Sequence, residues 1–493
     1  MNLIIELEGL MKKNNCANLS LTEFIPNDQN PWDEKKILFL FRRLEFGIDK
    51  SKINTYLNYS PQDLIDKIID DAKNLIVSPD PGWKDWNSTD FNNSGKNRGA
   101  FFRDHQRLIF DDFLNNGFRE RLTLFWSNHF VTEYYMYNHP AYAFRYYNNI
   151  QKNVLGNFKE FVREIGLDDA MLMYLNGFEN KNSKPNENYS RELYELFTLG
   201  EGNGYTQEDI TETSRALTGF NSRTNQGPIS FNDRWYDDGE KTIFGRTGNW
   251  NYDDVIEILF EEKKELIGKF ICTKLYKYFI NPSVNEQVVS DLSNYFIENN
   301  FSLELLYKKI FKSEHFFDSY NNNVIVKSPV DLLCSLFKQL KFEVPENFNL
   351  GNYFIYKSKD MGQEVLNPVD VAGWQGNHDW ISTGSLPMRW DFIDDILWKF
   401  WQKDKLQYQK FLKSIVGENE TNPQTIVKKV IDFMFCDYDI KEEDLLDATE
   451  VFKSEVPDIY YQDGTWNIND DTVPQQTYRL IGFLTKLPEY QLK

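Results

Sequence analysis

The chain is short of the residues that usually announce chemistry: five histidines and four cysteines in 493 positions. Cys16, Cys272, Cys334 and Cys436 stand far apart with no C-x-x-C pair, so they read as buried free thiols rather than a zinc motif, a redox motif or a disulfide framework. His105, His129, His139, His315 and His378 contain no H-x-x-x-H and no H-E-x-x-H, so local spacing identifies no metal or cofactor, and a metal site would need distant segments. Positive charge is also scarce. Lys and Arg total 55 against 75 Asp and Glu, a formal charge of 55 − 75 = −20, and the cationic groupings are pairs such as Arg42-Arg43 and Lys428-Lys429. That pattern offers no stripe for nucleic acid or an anionic membrane. Glycine-rich phosphate loops and the G-x-S-x-G elbow are missing too, leaving nucleotide binding and serine hydrolysis unsupported. No apolar run reaches the roughly 20 residues of a membrane span. The opening MNLIIELEGLMKKNN has acids inside its apolar stretch and lysines after it, the reverse of a secretory signal. A soluble, cytoplasmic protein is the default expectation, with export bound to a partner left open.

Aromatic residues are abundant, at 16 %, within a hydrophobic share of 41 %, enough apolar surface for a large folded core. Apolar residues recur at three and four in residues 35–46, 60–76 and 253–279, with helix starts marked by Ser60 before Pro61 and by Asp253. The pattern predicts a mainly α fold, a large multi-helical array with two long irregular loops and little or no sheet. Strand-like alternation is confined to 323–326 and 353–358. Residues 1–34 read as an extension. Residues 35–493 read as one helical domain, divisible into subdomains 35–220 and 252–493 by the irregular segment 221–251. A second irregular stretch, 362–390, is rich in Trp and Gly, and long loops of this kind are more often functional than idle.

Residues 186–220 carry the densest polar cluster. Glu187, Arg191 and Glu195 fall at i, i+4, i+8 on one helix, with Glu192 three before Glu195, Asn186 or Asn188 as N-cap and Gly200 at the C′ position. A second helix starts at Thr206 with Asp209 at N3. An antiparallel hairpin of the two would let Arg215 meet Glu192 or Glu195, making either a buried structural clamp or a site. His129 ends an aromatic helix face beside Asn128, which suits a satisfied core histidine, a general base or a ligand. Asp237 and Asp238 precede Gly239 and Lys241, the pattern of an Asx-turn, with carboxylate ligation as the alternative. His378 stands beside Asp379 in the Trp374 loop.

Several blocks, in order, resemble the bacterial family catalogued as domain of unknown function 1800: LFRRLEFG (40–47), RLTLFWSNHFVT (121–132), PNENYSRELYELFTLG (185–200), RALTGF (215–220), DDGEKTIFG, KSPVDLL (327–333), NPVDVAGWQGNHDWIST (367–383) and LPEYQL (487–492). Two positions depart from the family pattern: Tyr236 where a histidine is usual, and Asn377 where a second glycine is usual. The resemblance implies no established reaction. It implies a partner, because family members often accompany exported proteins with a phosphatase- or sulfatase-like fold. Two classes of function follow. One is a binding or accessory protein for such a partner. The other is a hydrolase-like enzyme, with or without an assisting metal, whose His/Arg/Glu/Asp pocket is lined by Trp and has His129, Glu192, Glu195 and Asp238 as catalytic groups. In either case Asn188, Arg191, Arg215, Asp237, Lys241, Trp374 and His378 are the binding candidates.

Overall fold

A computed structural model describes residues 18–435 and 440–493. Cys16, Cys436, Lys12-Lys13 and the first half of the 1–34 extension lie outside them; Cys272 and Cys334 are free and buried. The fold is mainly α, as the periodicity predicts. Asp33 caps the helix Glu34–Leu44 by accepting from the Lys36 N–H, and Ser60 caps Pro61–Asn74 in the same way from Asp63. The basic pair Arg42-Arg43 faces inward. Arg42 Nη1 donates to the Phe435 carbonyl at 2.8 Å, and Arg43 Nη1 to that of Ile280 at 2.9 Å. Each guanidinium fork thereby satisfies helix-end carbonyls that would otherwise be buried without partners.

Two sequence expectations are corrected. Residues 253–279 form two helices rather than one, Tyr252–Glu262 and Lys264–Phe279, and Asn251 rather than Asp253 supplies the cap with a full capping box. Residues 353–358, with their strand-like alternation, lie inside the helix Leu350–Asp360, capped by Asn349, because apolar side chains on that turn face the neighbouring helix Arg98–Asn115. Among the described residues the sheet is one antiparallel hairpin inside the segment expected to be irregular: β1 (Lys241–Ile243) and β2 (Arg246–Gly248). Phe244 and Gly245, at φ +48° and +78°, form the two-residue turn with both φ positive that a tight hairpin requires. Residues 323–326 form no strand: Asn323 sits in a turn at φ +52°, and only Val326 makes an isolated bridge, to Leu492, so the final residues run beside the entry to the helix Pro329–Leu340.

One contiguous set of buried apolar side chains extends from Phe24 to Tyr490. Its aromatic density is functional in packing terms: Trp126 sits between Phe130, Phe158 and Phe161 and donates its indole N–H to the Tyr307 hydroxyl at 2.8 Å. A small satellite of Val326, Trp380 and Leu492, with Trp374 and Ile381 against it, walls the cavity considered below.

Four of the five histidines are buried. His105 lies within ring contact of Trp83, Phe144 and Tyr147, and neither ring nitrogen has a hydrogen-bond partner among the described residues. Burial pulls its pKa from 6.5 down to about 3. Between those values the unfolded chain binds a proton that the native ring refuses, so this histidine's contribution to stability is lost as pH falls from 6.5 toward 3. His105→Phe removes that linkage. Relative to wild type, its denaturant-measured stability should improve by about 1.4 kcal/mol for each pH unit below 6; a difference that stays constant with pH would refute this.

Candidate ligand site

A cavity of about 560 Å³ opens where the C-terminal end of the helix Gly117–His129 meets the helix Lys264–Phe279, the start of Pro329–Leu340, the 372–380 loop and Lys493. The volume suits a small organic ligand. Its charged lining is one-sided: Lys274, Lys277 and Lys493, with His129 and His378, against the single carboxylate Asp331.

That carboxylate is already committed. Asp331 sits at N3 of its helix and accepts from the Ser328 N–H at 3.1 Å in a capping box. Its Oδ1 pairs with Arg121 at 2.5 Å and its Oδ2 with Lys493 at 2.7 Å, all three side chains buried. Burial works to raise the Asp331 pKa, but Arg121 and Lys493 overcome it and hold the carboxyl well below its ordinary range. Burial, with Arg121 next, draws the Lys493 ammonium down to about 7. Arg121 is further fixed by the Glu45 carbonyl at 3.1 Å and by the Phe46 ring, 4.0 Å from its guanidinium.

His129 occupies the opposite wall. Its Nε2 lies 3.0 Å from the Phe197 carbonyl, which can only accept, so the proton is on Nε2 and the Nδ1 lone pair faces Lys274 Nζ at 3.1 Å. Burial first, and Lys274 second, keep the ring neutral, its pKa well below 6.5. Lys274 also donates to the Leu196 carbonyl at 3.3 Å, while burial and then Lys277 lower it to about 8. Both carbonyls come from residues 188–200. There the α-helix Asn188–Glu192 widens into a π-helical turn, Leu193–Thr198, closed by Leu199 N–H on the Tyr194 carbonyl. A π turn and a helix end both leave carbonyls free for side chains, and a cation there also meets the negative end of the helix dipole.

The tryptophan loop is held by Asn128, which grips the backbone at two points: Nδ2 donates to the Trp374 carbonyl at 2.9 Å, and Oδ1 accepts from the Trp374 N–H at 2.7 Å. The approach demands glycine next door. Gly373 has φ +73°, and a Cβ there would lie 2.5 Å from Asn128 Oδ1.

Of the residues singled out from sequence, His129, Trp374 and His378 line this cavity and the remaining candidates do not. Glu187, Arg191 and Glu195 form the anticipated i, i+4 pairs at 3.3 and 3.4 Å, but partly exposed, with Gln207 as a further partner; Asn188 bonds Asn176 at the surface. Burial and Glu195 raise the Glu192 pKa, yet Glu192 is not among the residues lining the cavity. Arg215 does not reach Glu192 or Glu195. It forks onto Asp237 at 2.8 and 3.2 Å and takes Glu212 at 2.8 Å, pinning the helix Gln207–Ala216 to the hairpin. Asp237 accepts from the Gly239 N–H at 2.9 Å, the anticipated Asx-turn, Asp238 is exposed, and Lys241 is buried on the Gly239 carbonyl at 2.8 Å. Fully buried Arg–acid pairs occur elsewhere, at Arg119–Glu120 and Arg121–Asp331. Sequence reasoning missed Lys274, Lys277, Asp331 and Lys493; the usable signal was the i, i+3 lysine pair in the apolar TKLYKYF stretch.

A family profile described as "Protein of unknown function (DUF1800)" matches residues 39–492. The chain belongs to this family. A search of curated proteins finds no match, and neither does a search of solved structures. Both departures from the DUF1800 pattern now have physical readings. Asn377 stands at φ +52°, a conformation that favours glycine and tolerates asparagine, and its Oδ1 accepts from the Val326 N–H at 2.9 Å. Tyr236 donates to the Trp250 carbonyl at 3.2 Å with Lys241 over its ring, serving as a strut. Among the described residues no group of three or more His, Cys, Asp or Glu is arranged to hold a metal ion, and no helix is long and apolar enough to cross a membrane.

Two outcomes test this geometry. Asp331→Asn leaves Arg121 and Lys493 buried without a counter-charge and should cost about 3–5 kcal/mol in urea denaturation, whereas removing the exposed Lys67–Asp71 pair should cost under about 0.5 kcal/mol; equal losses would deny Asp331 its role. Asn128→Ala should accelerate amide hydrogen exchange in residues 370–380 while leaving the main core protected, and unchanged exchange there would mean the loop is held by other contacts.

Proposed function

We propose that this DUF1800 protein is a binding protein that holds an acidic small molecule in the Lys274–Lys277–His378 cavity. The observation that carries this reading is the imbalance of charge. In a chain of net −20, the cavity's one acid, Asp331, is neutralised by Arg121 and Lys493, and Lys274 and Lys277 remain with no carboxylate on the lining to oppose them. An anion entering there meets Lys277 at the rim and Lys274 within, while Trp374, Trp380, Tyr278 and Phe125 offer apolar faces to the rest of the molecule. The carboxylates expected for hydrolysis, Glu192, Glu195 and Asp238, do not line the cavity, which favours binding over acid–base hydrolysis.

The accessory role implied by the family resemblance fits beside this reading. Val369, Met136 and Tyr135 are strongly exposed, and Tyr135 is tied to the stretch leading into the tryptophan loop by its N–H to Asn367 Oδ1 at 3.3 Å. An exposed apolar group of this kind supports docking of a partner, and an exported phosphatase- or sulfatase-like protein is the partner we propose.

The ligand reading is tested by thermal shift and calorimetry at low ionic strength with phosphate, phenyl phosphate, benzoate, mandelate and neutral benzyl alcohol. The aromatic acids should raise the melting temperature in a saturable way, benzyl alcohol should not, and Lys277→Glu should weaken binding about ten-fold or more, as loss of a charge-assisted contact plus repulsion implies. No saturable shift with any acid would remove the reading.

A further inference from the structure

Lys274 differs from Arg121 and Lys493, the other buried cations at this cavity, in what it meets. Arg121 and Lys493 share Asp331, whereas Lys274 Nζ has no carboxylate within ion-pair distance among the described residues. Its contacts are the His129 Nδ1 lone pair at 3.1 Å, the Leu196 carbonyl at 3.3 Å and the Phe270 ring, 4.7 Å from Nζ. Lys277, one turn along the same helix, adds a like charge. A lysine held by burial and a neighbouring cation, with no acid to fix its proton, is the arrangement that makes an amine nucleophilic. With its pKa at about 8, about a tenth of Lys274 is free amine at pH 7. Lys493, although also buried, is locked on Asp331 and is not available in this way.

We propose that Lys274 forms a reversible imine with the carbonyl carbon of an acidic ketone or aldehyde, a 2-oxo acid being the simplest class, bound in this cavity. This rests on the acidic-ligand reading and adds a covalent step to it. His129 Nδ1 takes one proton from the ammonium, freeing the amine lone pair to attack the carbonyl carbon. A C–N bond forms and the carbonyl π pair moves to oxygen. One of the two remaining N–H protons shifts to that oxygen, giving the carbinolamine. His129 then returns its proton to the hydroxyl, the C–O bond breaks and water leaves, with the nitrogen lone pair completing the C=N bond. The sum is ammonium plus ketone to iminium plus water, with no oxidant or reductant consumed. The ligand's carboxylate is met by Lys277 and His378 at the rim, and its side chain by the tryptophan wall.

The test is reductive trapping on the full chain. Benzoylformate and pyruvate are each incubated with the protein and sodium cyanoborohydride, and adducts are located by intact mass and peptide mapping; mandelate and lactate, which lack the carbonyl, are titrated in parallel by thermal shift. The expected result is one reduced adduct per chain on Lys274, absent from Lys274→Arg with an undiminished melting temperature, and slowed at least ten-fold in His129→Asn. Adducts scattered over exposed lysines, or persisting in Lys274→Arg, would overturn the proposal. Saturable binding of mandelate without any benzoylformate adduct would overturn the imine while leaving the acidic-ligand reading intact. Absence of both binding and adduct would end both.

Discussion

The carboxylate of Asp331 joins three parts of the chain that are far apart in sequence. It closes the N-terminus of its own helix, receives Arg121 from the helix that ends at His129, and receives Lys493 from the last residue. Taking these charges out of water is expensive, and the arrangement persists because each carboxylate oxygen has a cation and the capping N–H adds a third contact. The consequence for the cavity is direct. Arg121 sets the roll of the Gly117–His129 helix, Ser328 and Asp331 set where the Pro329–Leu340 helix begins, and Lys493 fills the space between, so that one ionic knot fixes three of the cavity's walls.

The orientation of His129 depends on backbone rather than side-chain chemistry. The acids of residues 186–200 invite a search for a carboxylate partner of His129, but that helix meets the histidine through the carbonyls of Leu196 and Phe197. Ordinary α-helical closure would aim these carbonyls along the axis; the π turn over Leu193–Thr198 places the helix end where His129 and Lys274 can use them. The tautomer of His129, and with it the direction of its lone pair, is thus decided by a carbonyl donated from a different helix. A neutral histidine so oriented leaves Lys274 without the counter-ion that would make it an ordinary ion-paired lysine.

Features set by local spacing were legible in the sequence, and those set by distance were not. Ser60, Thr206 with Asp209, Gly200 and the Asp237 turn were readable because each acts within four residues of itself. The Glu187–Arg191–Glu195 pairs formed as the spacing requires, yet the same spacing carries no information about exposure, and they lie near the surface. Arg215 exposes the limit most clearly: its helix position was right, but its partner Asp237 is 22 residues away, at the far end of the irregular segment that precedes the hairpin, and no local spacing pairs the two. The cavity drew on His129, Trp374 and His378, each conspicuous in a stretch of unusual composition, and on Lys274, Lys277, Asp331 and Lys493, which look like ordinary helix or terminal residues until the fold brings them together. Three of these seven side chains were therefore findable from sequence.

The cavity's charge has to be weighed against the chain's. At a net −20 the long-range field repels anions, and this repulsion is damped beyond a Debye length of about 8 Å in physiological salt. Within that distance Lys274 and Lys277 act almost unopposed, since Asp331 is spent on Arg121 and Lys493. The two fields select differently: the outer one disfavours highly charged anions before they arrive, and the inner one retains those carrying one or two charges that do enter. On the proposed reading, the aromatic faces of Trp374 and Trp380 would supply affinity that does not depend on charge, favouring a partly apolar acid over inorganic phosphate or sulfate. An acidic exterior around a tryptophan-walled interior carrying Lys274 and Lys277 would then filter for small acids with an apolar body, which is the class of compound proposed for this cavity.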